Sequence, residues 1–224
     1  MLTLYTSIGR LTKQKLQNGT ELPVILMGGQ EHALAPHEFM LWSSLAFQIL
    51  TQEEAQSLYQ KQISEYSLAE TPDFSYILRR LLVRGLVIQG GGVTGVDALY
   101  RLFGHLHIVP IKVSSFARFF ACLRAWVYGY MPLSMLLRSL KKPACTPLES
   151  LILRISEELS FSISELLGYM EHSSEMPSQA ALDSITDDLK LDELAEQAAV
   201  HHFQLPVLQG IANLYLKKQI LLEQ

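Results

Sequence analysis

Apolar positions recur along this chain in two rhythms, and each change of rhythm marks a new element. Phe74, Ile77, Leu78, Leu81 and Leu82 stand at three-and-four spacing, which lays one apolar stripe along a helix. Gly85 ends the stripe, as glycine commonly does just past the last periodic residue. Leu86, Val87 and Ile88 follow as a β-prone run, and Gly90, Gly91, Gly92 and Gly95 predict a turn. Upstream, Pro36 predicts a helix start with Glu38 in its first turn, and Phe39, Trp42, Ala46, Ile49 and Leu50 as its inner face. Thr51 and Glu54 have capping-box spacing and open a second helix, with Ala55, Leu58, Tyr59 and Ile63 inward. Residues 1–33 predict a small β preface, with a turn signal at Asn18-Gly19 and a strand over 23–27 closed by Gly28-Gly29. Past the glycines, residues 96–103 read as a short helix, 107–111 as a strand and 114–140 as helical with a break near 129–132.

The same order of signals then returns. Pro147 stands 15 residues before Ser162, as Pro36 stands 15 before Thr51, and Ser162 with Glu165 forms a second capping box. Leu208, Ile211, Ala212, Tyr215 and Leu216 reproduce the stripe that begins at Phe74, and residues 220–222 follow as 86–88 do. Several matches in one order imply a degenerate tandem duplication, with an insert near 173–190 in the second copy. In this alignment Asn213 and Leu214 stand opposite Arg79 and Arg80. Residues 192–202, turning through 203–205, read as a helix-turn-helix of their own.

The run ILRRLLVRGLVIQG at 77–90 resembles the end of the recognition helix and the first wing strand of bacterial winged-helix transcription regulators. The resemblance covers residues 36–111 and, more faintly, 146–224. It implies a mainly α fold with short β wings: a winged-helix domain with its β preface at 1–111, an apolar helical connector at 112–145, and a degenerate winged-helix-like domain at 146–224. It implies a transcription regulator that binds double-stranded DNA through the third helix. Arg79 and Arg80 lie off the stripe and Arg84 at its margin, placed to meet phosphates or guanine edges, and Thr94 at the wing tip would touch a neighbouring phosphate. Winged helices also serve as non-catalytic protein- or peptide-binding modules, and that alternative stands beside the first.

Charge divides the chain without settling the choice. The formal net charge is −4. Residues 98–148 carry seven basic side chains and no acidic one, whereas 149–224 carry thirteen acidic and four basic. An anionic partner is thus drawn to the middle and repelled by the last third. The aromatic, cationic stretch at 114–131 suits a core between the units or an interface, so a homodimer through the 114–140 connector is expected. A membrane-surface helix would show a more continuous basic face. No run reaches the apolar length of a membrane span, and Cys122 and Cys145 fit a reducing compartment, so a cytoplasmic protein is expected.

The remaining chemistry is thin. Gly90-x-Gly92-x-x-Gly95 matches a dinucleotide fingerprint, but no acid follows between Asp97 and Glu149 to hold a ribose. His105 with His107, and His201 with His202, lack carboxylate or thiolate partners at metal spacing. The expectation is no enzyme, no cofactor and no metal.

Overall fold

The computed structural model describes residues 1–15, 21–66, 72–111, 144–158, 162–172 and 195–224. The 114–140 connector with its homodimer contact, the Asn18-Gly19 turn and the insert at 173–190 lie outside these residues. Among those described, the fold is mixed α/β, with helices packed around three small antiparallel sheets.

The first five strands are β1 (Leu2–Ser7), β2 (Arg10–Lys15), β3 (Glu21–Met27), β4 (Gln30–Ala33) and β5 (Leu50–Thr51). Interleaved with and following β5 come α1 (Pro36–Leu45), α2 (Gln52–Tyr66), α3 (Phe74–Val83), β6 (Val87–Gly92), α4 (Gly95–Phe103) and β7 (His107–Pro110). The second half holds α5 (Pro147–Glu158), α6 (Ile163–His172), α7 (Ala195–Leu216) and β8 (Ile220–Glu223). Strands β2, β3 and β4 form one meander. Strand β1, expected in that preface, instead lies between β5 and β6.

The stripe on α3 is buried as its spacing predicts: Phe74, Ile77, Leu78 and Leu81 pack with Trp42, Leu45, Ala55, Tyr59 and Ile63 in a first core. The inner face of α1 differs from expectation. It buries Glu38, Leu41, Trp42, Ser44 and Leu45, and the helix stops before Ile49. Hydrophobic spacing could not place a carboxylate inside, and that carboxylate sets the phase of the helix.

The glycines of β6 also correct the sequence expectation. Gly90 and Gly92 do not make a turn; they continue β6, paired along β1 opposite Leu4 and Leu2. A Cβ on Gly90 would lie 2.3 Å from the Ala98 carbonyl oxygen and 2.4 Å from the Leu102 nitrogen. One on Gly92 would lie 2.5 Å from the Ala98 nitrogen. These glycines let α4 lie directly on the strand.

A second core gathers Leu102, Phe103, Leu106, Ile108, Leu148, Ile152, Ile163, Leu166, Leu208, Ile211, Leu214, Tyr215 and Ile220. Strand β7, expected with the first unit, pairs with β8 at the chain's far end. Of the helix-turn-helix expected at 192–205, the described residues 195–205 belong to one continuous helix, α7, with Pro206 inside it. Tyr215 joins the two cores: its hydroxyl donates to the Ser7 carbonyl at 2.8 Å and accepts from the Phe47 N–H at 3.0 Å. Burial pushes that phenol's pKa up, against hydrogen bonds donated by Thr6 and Phe47 that pull it down.

Several hydrogen-bond registers recur between the two halves. Leu4 pairs with Thr51 and Gly90, and His107 pairs with Ser162 and Glu223. Ile8 N–H donates to the Leu86 carbonyl, and Ile111 N–H to the Gln219 carbonyl. At the end of α3, Leu86 N–H reaches the Leu81 carbonyl and Gly85 N–H the Leu82 carbonyl; Gln219 and Lys218 repeat this with Leu214 and Tyr215. This is a Schellman ending in both places. Its left-handed residue is Gly85 at φ 69° in the first half and Lys218 at φ 57° in the second. The register shifts the expected alignment by one: Asn213 stands opposite Arg80, and Ala212 opposite Arg79. Apolar spacing tolerates such a slip; backbone hydrogen bonds do not.

Candidate functional site

The three arginines expected to read DNA share one face. Tyr76, Arg79, Arg80, Val83 and Arg84 line a groove of about 450 Å³ along the outside of α3. Thr94 is not among its lining residues. It caps α4, where its Oγ1 accepts from the Asp97 N–H at 3.2 Å and its own N–H donates to Asp97 Oδ2. The Asp97 carboxylate beside it opposes a phosphate there.

Two of the arginines reach Glu38. Glu38 is 3% exposed. Its Oε2 accepts from Arg84 Nη1 at 3.0 Å and from the Ala35 N–H at 3.0 Å. Arg80 Nε lies 2.9 Å from Oε1, yet Oε1 has no well-aligned donor, so this contact is chiefly electrostatic. Arg84 also donates through Nη2 to the Ala33 carbonyl at 2.7 Å. The guanidinium of Arg80 sits over the Tyr76 ring at 5.7 Å, and the Tyr76 hydroxyl, then Glu38, hold it more firmly protonated than usual. Arg79 makes no ion pair with any described residue and points to solvent.

The second half carries the same device. Glu149 is 1% exposed. Its carboxylate accepts from Lys217 Nζ at 2.8 and 2.9 Å and from the Thr146 N–H at 2.9 Å. Lys217 also donates to the Ala144 carbonyl at 3.0 Å. In each half, then, a buried glutamate in the first turn of one helix holds the cation that closes another, and that cation holds a carbonyl just upstream. Such a pair ties an N-terminus to a C-terminus and satisfies an otherwise unpaired N–H.

The sequence signal for this lock was present but silent: Pro-x-Glu opens both helices, and a cation precedes both terminal strands. The exposed apolar residues of the groove were likewise overlooked. Tyr76, Arg80 and Val83 stand four and three apart, opposite the buried stripe, and Val83 is 81% exposed. Among the described residues no group of three or more His, Cys, Asp or Glu is placed to hold a metal, and no helix is long and apolar enough to cross a membrane. Comparison of the chain with protein-family models, with curated proteins and with solved structures returns no match.

Proposed function

We propose that this chain is a non-catalytic protein-interaction module built from two winged-helix-like units. In this reading the first comprises α1, β5, α2, α3 and β6 around β1, and the second comprises α5, α6, α7 and β8 around β7. The observation that carries it is the paired lock. Arg80 and Arg84, two of the three arginines expected to meet DNA, serve Glu38, and the equivalent Lys217 serves Glu149 in a half with no arginine cluster. The glycine segment supports the same reading, because α4 covers it where a DNA-binding wing would project.

DNA binding remains the second reading, favoured by one observation: Arg79 is exposed on the outward face of α3 with no ion-pair partner among the described residues. Fluorescence anisotropy of the purified chain on mixed-sequence duplex DNA separates the two. The module reading expects no binding that weakens steeply with salt. Micromolar binding that does so and is lost in Arg79→Ala would replace it with the regulator reading.

A further inference from the structure

Helix α7 serves as an internal control for α3, because the shared register says which residues the fold itself requires. The acid, the cation, a capping box and the Schellman ending occur in each half. The outward positions differ. Tyr76, Arg79, Arg80 and Val83 stand opposite Gln209, Ala212, Asn213 and Leu216. Gln209, Asn213 and Leu216 are exposed like their counterparts, and of the four only Ala212, opposite the exposed Arg79, is buried. Arg80 is engaged by Glu38, whereas the exposed Tyr76 and Arg79 have counterparts on α7 that are neither aromatic nor cationic.

Resting on the interaction-module reading, we infer that the outer face of α3 docks an acidic protein segment through a carboxylate set between two apolar side chains. Three arginines line the groove, and Arg80 and Arg84 share the single carboxylate of Glu38, so the groove stays net positive. Arg79 offers its planar fork to a carboxylate without giving up an existing ion pair. Tyr76, 57% exposed, and Val83, 81% exposed, bracket it. They stand seven residues apart, about 10 Å along the helix. A partner segment matches this row when two apolar side chains at that spacing flank an Asp or Glu. Duplex DNA offers phosphates at such a spacing but nothing apolar for Val83, so the protein segment is favoured.

The test is selection from a displayed library of random peptides, about a dozen residues long, on the immobilised full-length chain. Enriched peptides are expected to carry an acid between apolar residues. They should bind Arg79→Glu and Val83→Ser about tenfold or more weakly, since both sit at the centre of the contact. Both side chains are exposed, so unchanged melting of the variants is expected and separates lost contact from lost fold. Peptides that lack the acid, or bind both variants normally, would overturn the docking face and leave the module reading standing. No enrichment would also overturn the docking face, and salt-sensitive, Arg79-dependent binding of duplex DNA would overturn both readings. Self-association that disappears in Val83→Ser would assign the face to a second copy and reject the acidic segment.

Discussion

The Glu149–Lys217 pair should be asymmetric, because its two members are buried to different degrees. Glu149 is 1% exposed, while the Lys217 side chain keeps 33% of its surface. Lys217→Met strands a carboxylate whose remaining donor is the Thr146 N–H. Removing one partner of a buried pair and leaving the other charge uncompensated costs about 3–5 kcal/mol. Glu149→Gln leaves an ammonium that can turn to water, and an amide oxygen that still accepts from Thr146, for about 1–2 kcal/mol. The double variant should cost about as much as Glu149→Gln alone, since the stranded charge is gone. Glu38 provides the comparison: Arg84→Met leaves Arg80 at 2.9 Å, so a smaller loss of about 1–3 kcal/mol is expected. Urea unfolding followed by circular dichroism and by tryptophan fluorescence reads these differences as shifts of midpoint at constant slope. Equal costs for Lys217→Met and Glu149→Gln would refute the lock as described.

Three further outcomes follow from the packing. Gly90→Ala should cost more than about 3 kcal/mol, because its Cβ would meet the α4 backbone, whereas Gly91→Ala should cost under about 1 kcal/mol, because it meets the movable end of Met1; comparable losses in a thermal melt would count against α4 lying on β6. Tyr215→Phe should destabilise by about 1–3 kcal/mol in urea by leaving the buried Ser7 carbonyl and Phe47 N–H unpaired, and a neutral result would deny Tyr215 its role between the cores. Because burial raises the Tyr215 pKa above its ordinary 10.0, its contribution is complete below that pH and is lost as pH rises from there through the folded value. Melting temperature should accordingly fall beyond about pH 10, less steeply in Tyr215→Phe, and identical slopes would place the effect elsewhere.

Local chemistry made much of this molecule readable from sequence alone. Pro36 and Pro147, the capping boxes at Thr51 and Ser162, the stripe of α3 and the stop at Gly85 each act within a turn or two of the chain, so their signals sit next to their effects. The recurrence of these signals in one order was legible for the same reason. What only the tertiary structure decided were relations between distant residues. Apolar spacing set α7 one position out of register with α3, and only the β7–β8 and Schellman hydrogen bonds, which admit no slip, corrected it. The glycines of β6 looked like a turn because glycine serves equally where a backbone bends and where another helix must approach closely; α4 chose the second. Most consequentially, Arg80 and Arg84 look in sequence like free positive charge. Whether a guanidinium is spent depends on a carboxylate more than forty residues away, and burial of Glu38 on the inner face of α1 made that decision.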